Sequence, residues 1–190
     1  MAASETIVAN LALAKIGSEK ISALSDGNKR ARLINELFSS MREEVIASHP
    51  WNFAIKRATL AQDATAPAFG YTYRYPLPSD ALRIWEVFEG GALTTYAWEV
   101  ENGFLMTDQP TCQVKYIFNE SNPTKWTGQF TTTLAYRIAA DIAYNITQSS
   151  TLAQAMMDAY RENLALARSA DAQEARKAAL NDEQWLNSRY

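Results

Sequence analysis

The sequence is poor in the residues that carry most metal and redox chemistry, with one cysteine and one histidine among 190 residues. The single cysteine, Cys112, cannot form an internal disulfide, and we interpret it as a small buried apolar residue. One histidine and one cysteine cannot supply the ligand sets of the usual transition-metal sites. We therefore predict neither a metal nor a cofactor.

Long apolar runs are also missing. No stretch approaches eighteen consecutive apolar residues, so no membrane-spanning helix is predicted. The N-terminus shows no basic segment followed by an apolar one, so we expect no signal peptide and folding in the cytoplasm where the chain is made. Neither positive nor negative residues are in large excess: the net charge is −3 and the sequence pI is about 5.3. This balance disfavours DNA wrapping and binding to anionic membranes.

What is present is the composition of an ordinary globular protein, 47% hydrophobic, in a chain long enough for one domain or a domain with an insertion. Apolar residues recur at helical spacing in two N-terminal and two C-terminal stretches. Ser4 is placed to cap the first of them, and Gly17 to end it. The predicted helices lie at about residues 5–16, 30–48, 129–148 and 152–180.

Residues 51–127 have a different texture, with short alternating runs separated by turn residues. We predict about six antiparallel strands there, because the connections are too short for crossover helices. Asn102-Gly103 predicts a type I′ hairpin, and Gly90-Gly91 a turn without the accompanying residues of a phosphate loop. The predicted fold class is α+β: a four-helix bundle, residues 1–50 and 128–190, with residues 51–127 as an inserted antiparallel β region.

A predicted structural hinge lies where the helical period gives way to a strand period, at His49, Pro50, Trp51 and Phe53. Proline ends the preceding helix, and Trp51 is expected to be a buried anchor, with Phe53 opening the first strand. For His49 we favour a cap on the helix C-terminus over a base that activates Ser48, because adjacent residues rarely face each other.

Two further patterns have a functional and a structural interpretation. Alternating tyrosines could stack on bases or sugars, but we favour a packed sheet face. Carboxylates could supply the acid pair of a glycosidase, although such pairs occur in nearly every soluble chain. The residues concerned are Tyr71, Tyr73 and Tyr75, and Glu43, Glu44, Glu86, Glu89, Glu99 and Glu101.

The C-terminal part of the chain carries apolar residues that the predicted core does not obviously use. The stripe of the last predicted helix fades after Leu166, so its second half is expected to extend beyond the core and meet another molecule. After it come Trp185, Leu186, Arg189 and Tyr190. Two interpretations stay open: this segment folds back on the helices, or its aromatic and arginine side chains anchor a partner.

Several segments together resemble the tail tubular protein A family of short-tailed bacteriophages, most densely over residues 4–60. They are Asn10-Leu-Ala-Leu-Ala-Lys-Ile-Gly17, Ile21-Ser-Ala-Leu24, Asp26-Gly-Asn-Lys-Arg-Ala31, His49-Pro-Trp-Asn-Phe53 and Tyr75-Pro-Leu-Pro-Ser-Asp80. The resemblance implies a helical bundle with an inserted β region. It also implies a non-enzymatic virion protein of the head-to-tail junction.

The resemblance implies specific partners. Family members form an adaptor ring, usually of twelve copies, between the portal protein of the head and the tail nozzle protein, and genome DNA passes through the ring lumen. On this basis the residues expected to dock on the portal are Trp185, Leu186, Arg189 and Tyr190. The alternative, a peptidoglycan-degrading tail enzyme of the glycoside hydrolase type, depends on the carboxylates alone.

Overall fold

The computed structural model describes residues 4–174 and shows an α+β fold with four α-helices and seven strands in this range. Residues 51–127 contain all of these strands. The helices are α1 (Glu5–Lys15), α2 (Lys29–Ala47), α3 (Gly128–Thr147) and α4 (Ser150–Glu174). The strands are β1 (Ile55–Leu60), β2 (Tyr73–Pro76), β3 (Ala81–Glu89), β4 (Ala92–Leu93), β5 (Trp98–Glu101), β6 (Phe104–Thr107) and β7 (Cys112–Phe118).

The helix ends follow from local capping chemistry. The Ser4 hydroxyl accepts a hydrogen bond from the Ile7 amide at 3.2 Å, as an N-cap does. Gly17 has φ +69°, and the Ser18 amide donates to the Leu13 carbonyl at 2.9 Å, which is the six-to-one bond of a Schellman end. Both predicted boundaries of α1 are confirmed. Gln148, at φ +58°, ends α3 and lets the chain enter α4 two residues later.

The predicted four-helix bundle is wrong. Every extensive helix–helix contact in residues 4–174 involves α3, which packs along α4 and also contacts α1 and α2. The eleven residues of α1 give a helix only about 16 Å long, too short to run the length of the twenty-residue α3. Part of the remaining surface of α2 contacts β3 and β7 instead of another helix. Apolar periodicity had indicated that each helix buries one face, but it carries no information about which element covers that face.

The seven strands, where about six were predicted, form two sheets. The large sheet has the order β1-β7-β3-β4 and the small sheet the order β2-β6-β5, and all pairs are antiparallel. Asn102 and Gly103 both have positive φ, and Glu101 pairs with Phe104 across them, which confirms the predicted hairpin. Phe53 does not open a strand, since Asn52–Ala54 is a single 3₁₀ turn.

Two hydrophobic cores result. One lies among the four helices, which we call the helical layer, and it includes Trp51, Trp126 and Phe130. The other lies between the two sheets, which we call the β layer, and it includes Tyr75, Leu105 and Val114. Ile117 of β7 belongs to the helical core, so the two layers meet at that end of the large sheet. The β layer is thus a small sandwich attached to the helices at one margin of its larger sheet.

Candidate interaction surfaces

The junction between the layers is organised by Trp51. Its side chain is fully buried, and the indole N–H donates to the Val45 carbonyl of α2 at 3.0 Å. The rings of His49, Phe53 and Phe130 lie at centroid distances of 4.8, 6.2 and 5.2 Å from it. These contacts join the end of α2, the start of the β layer and the first turn of α3.

His49 makes a different contact from the one predicted. Its Nε2 lies 3.2 Å from the Asp171 carboxylate of α4, so its side chain does not cap α2; the residue at the end of α2 is Ser48. Because a carboxylate can only accept, Nε2 carries the hydrogen of this bond. Burial lowers the pKa of His49 below its usual value near 6.5, the bond and charge of Asp171 oppose that shift, and Arg168 and Arg83 add to it.

Asp171 and Arg168 fasten α4 to the junction. Besides contacting His49, the Asp171 carboxylate accepts from the Asn52 amide at 3.1 Å, and the Asp171 carbonyl accepts from the Asn52 side chain at 2.8 Å. Arg168 donates to the Ser48 carbonyl at 2.9 Å. The expectation that the second half of this helix extends beyond the core is wrong up to Glu174, because Ala167 and Asp171 are buried against the junction.

Sequence reasoning missed this contact although a signal was present. Tyr160, Leu164, Ala167 and Asp171 follow each other at spacings of three or four residues, so they lie on one helix face. The last two residues of that stripe are an alanine and an aspartate, which are not large apolar residues, so the apolar pattern looked as if it ended before them. The buried carboxylate is compatible with the core because the Asn52 and His49 donors satisfy it.

Three of the chemical candidates, Ser48, Glu44 and Glu86, are engaged in structural contacts. The Ser48 hydroxyl donates to the Val45 carbonyl at 2.8 Å and makes no hydrogen bond with His49. Glu44 accepts two guanidinium bonds from Arg137, and Glu86 pairs with Lys115 at 3.3 Å. Both carboxylates therefore have structural ion-pair partners.

Arg137 itself is the centre of a polar contact between α2 and α3. Burial alone would lower its pKa, but hydrogen bonds to Glu44 and Asp141 outweigh burial and raise that pKa. The guanidinium lies 6.0 Å from the ring centroid of Tyr160 in α4. The arrangement links three helices and leaves this arginine charged at every accessible pH.

Cys112 is buried between the sheets, and burial raises the pKa of its thiol to about 11. A thiol that remains protonated is a poor nucleophile and a poor metal ligand. Among residues 4–174 no three His, Cys, Asp or Glu side chains gather to hold a metal ion. In the same range no helix is both long and apolar enough to cross a membrane.

A comparison of the chain with protein-family models and with curated proteins found no match.

One cavity lies at the junction, beside the N-terminus of α3. It has a volume of about 340 Å³ and is lined by Thr127, Gly128, Gln129, Asp171 and Glu174. A helix N-terminus attracts anions, but the two acidic side chains oppose an anionic ligand here. The cavity does not have the composition of a phosphate site.

Two of the three alternating tyrosines, Tyr73 and Tyr75, face the inside of the β layer. The Tyr75 hydroxyl donates to the Gln109 carbonyl at 2.8 Å and the ring is buried, while Tyr73 packs against the same core. Tyr71 precedes β2 and lies outside the strand. The packed-face interpretation is correct for Tyr73 and Tyr75, and neither ring is presented for stacking on a base or a sugar.

Exposed apolar side chains occur on both layers: Ile7, Leu11, Tyr144 and Leu166 lie on the helices, and four more lie on the loops and edges of the β layer. Phe69, in the loop between β1 and β2, is 88% exposed. Leu93 of β4, Tyr96 of the following loop and Val100 of β5 are also exposed, and they follow one another closely along the chain. Single exposed apolar side chains are common on protein surfaces, and a partner that covers them removes their contact with water.

The residues predicted to dock on the portal, Trp185, Leu186, Arg189 and Tyr190, lie outside the described range of 4–174. Of the predicted hinge, Trp51 and Phe53 pack in the helical core, and His49 and Pro50 form the turn that leads to them.

Proposed function

We propose that this chain is a structural bacteriophage protein, an adaptor that forms a ring between the portal vertex of the head and the tail tube or nozzle. The observation that carries the proposal is that large apolar residues are exposed on both layers, among them Leu93 and Tyr96 in the β layer and Tyr144 and Leu166 on the helices. Covering such side chains in an assembly is favourable, because it removes apolar area from water. The resemblance of residues 4–60 to the tail tubular protein A family supports the same proposal.

The pairing of the titratable side chains also supports a role in assembly. Arg137, Glu44, Glu86, Lys115, His49 and Asp171 are each held in an ion pair or hydrogen bond that connects structural elements. The contacts seen here stabilise a rigid body, which suits a protein that acts through its shape.

In this proposal the partners are the portal protein, the nozzle protein and further copies of the chain, which form a ring like that of the family. Genome DNA contacts the protein only as it passes through the lumen during ejection. The portal is docked by Trp185, Leu186, Arg189 and Tyr190, with aromatic and arginine side chains as the main contributors to affinity. The protein would thus reside in the virion, at the head-to-tail junction.

The experiment is electron microscopy of the purified protein mixed with portal rings from the same virus. A chain truncated after Leu180 should keep its circular dichroism and melting temperature, because it retains all the core residues described for the two layers. It should lose attachment to portal rings. The matched control is Phe69→Ser, which removes an exposed aromatic residue from the β layer and should leave portal attachment intact.

Two results would contradict the proposal. If the full-length chain does not decorate portal rings, the proposed adaptor function is wrong. If the truncated chain attaches as strongly as the full-length chain, residues 185–190 do not dock on the portal. A zymogram on purified cell wall tests the alternative enzyme directly. A cleared band that disappears in a Glu99→Gln, Glu101→Gln double variant would favour the hydrolase.

A further inference from the structure

We propose that neighbouring copies of this chain bind each other through the two outer faces of the β layer, the large sheet of one copy against the small sheet of the next. This inference rests on the proposed ring and names the contact between its subunits. The two faces carry opposite charges, so the partner that binds each face is a second copy of the chain.

The outer face of the large sheet is cationic and aromatic. Strand register places Arg57 of β1, Lys115 of β7 and Glu86 of β3 in one row on this face. Lys115 pairs with Glu86 and lies 3.9 Å from the Trp85 ring centroid, and the Arg57 guanidinium lies 5.8 Å from that of Phe88. Arg57 is exposed and has no carboxylate partner among residues 4–174, so it is an uncompensated positive charge of this face.

The outer face of the small sheet is acidic and apolar. Register places Glu99 and Glu101 of β5 beside Met106 and Phe104 of β6. Both glutamates are exposed, and neither has a basic partner within the described residues. The nearest arginine in this sheet, Arg74 of β2, is already paired with Asp63 at 3.0 Å. This face therefore carries two uncompensated negative charges.

Both faces remain open in the described chain. Helices reach the large sheet at the end marked by Ile117, which belongs to the helical core, and α2 is the helix that contacts β3 and β7. Towards the other end a recess of about 270 Å³ lies between Arg57, Thr59, Phe88, Gly91 and Gln113. Met106, half-buried in the small-sheet face, is an apolar side chain that such a recess can receive.

The geometry of the sandwich makes this contact head-to-tail. The two sheets pack through the core that contains Tyr75 and Val114, so their outer faces point in opposite directions. A contact between two different faces is heterologous, and it closes into a ring when the rotation between copies allows. A two-fold dimer would instead place like charges together on either face, which disfavours it.

The test exchanges charges and measures self-association by sedimentation velocity at low ionic strength, where screening is weakest. Arg57→Glu and Glu99→Lys should each weaken self-association by about tenfold, because each places like charges across the contact. An equimolar mixture of the two variants should recover the wild-type affinity to within about threefold, since every contact between unlike copies is again complementary. Matched controls are Lys20→Glu and Glu162→Lys, the same charge changes at exposed positions of the helical layer.

Circular dichroism of each variant establishes folding, and Arg57 and Glu99 are exposed enough for the substitutions to be tolerated. Wild-type protein that stays monomeric up to about 1 mM would overturn the inference, as would a mixture that associates no better than the single variants. The proposed adaptor function has a separate readout. A chain that decorates portal rings but does not self-associate in this way would support the adaptor function. It would contradict only the proposed contact between the two faces.

Discussion

The helical layer and the β layer differ in how they use their apolar residues. In the helical layer the ring centroids of Trp51 and Trp126 lie 5.2 and 5.5 Å from that of Phe130, so these three large aromatic residues pack as one cluster. In the β layer the core contains Tyr75, Leu105 and Val114, and the amide of the buried Gln109 donates to the Phe88 carbonyl at 2.7 Å. Exposed apolar residues occur on both layers. The comparison indicates that the aromatic cluster of the helical layer contributes more to stability than any single side chain at the edge of the β layer.

The largest test of this comparison is Trp51→Ala. It removes a fully buried indole and its bond to the Val45 carbonyl, so we expect the free energy of unfolding to fall by about 3–5 kcal/mol. The control is Trp98→Ala in the half-buried edge of the β layer, with an expected loss of about 1–2 kcal/mol. Urea denaturation measures both. Equal losses would show that the two layers contribute alike.

The second test concerns the hydrogen bonds that hold α4 against the junction. Asp171→Ala removes an acceptor for the Asn52 amide and for His49, and we expect a loss of about 1–3 kcal/mol. Asp158→Ala is the matched control on the same helix, where the exposed pair with Arg161 contributes at most about 0.5 kcal/mol. If the two variants melt at the same temperature, the junction does not depend on this carboxylate.

Local chemistry was predictable from the sequence, and the partners of each element were not. Ser4, Gly17 and Asn102-Gly103 act within a few residues of themselves, so their residue types suffice to predict a cap, a helix end and a turn. The bundle failed because the choice of α3 as the central helix depends on the relative lengths and directions of all four. The division into two sheets was not predictable for a similar reason, since β2 and β3 have adjacent places in the sequence but belong to different sheets.

The candidate surfaces show the same limit. The pairing of His49 with Asp171 spans 122 residues, and a histidine near a helix end is compatible with a simple cap. The opposite charges of Arg57 and Glu99 became meaningful only when strand register placed them on outward faces of different sheets. Residue type predicted that these side chains are solvated, and topology determined where they point.

A third, smaller effect is expected in the β layer. Gly103 has φ +78° in the β5–β6 hairpin, and Gly103→Ala should cost about 1–2 kcal/mol because an L-residue is strained there. The control is Gly27→Ala, at a glycine without positive φ and with open space around its Cα, which should be neutral or slightly stabilising. Loss of stability in both would indicate that the effect is not conformational.

The smallest expected effect is the pH dependence due to His49 at the junction. Its pKa is lowered in the folded protein by burial, with Arg168 and Arg83 adding to the shift and Asp171 opposing it. Because the unfolded chain binds a proton at higher pH than the folded one, stability increases with pH across the interval between the folded pKa and about 6.5. Acidification through that interval should therefore destabilise the wild type.

The measurement compares melting temperatures of the wild type and His49→Gln from pH 8 to pH 5. Glutamine retains a donor for Asp171 but does not titrate, so the difference between the two proteins isolates the imidazole. The wild type should lose stability relative to the variant as the pH falls. A relative gain would mean that attraction between imidazolium and Asp171 exceeds the cost of burying the charge, and the junction would then be an ion pair instead of a neutral hydrogen bond.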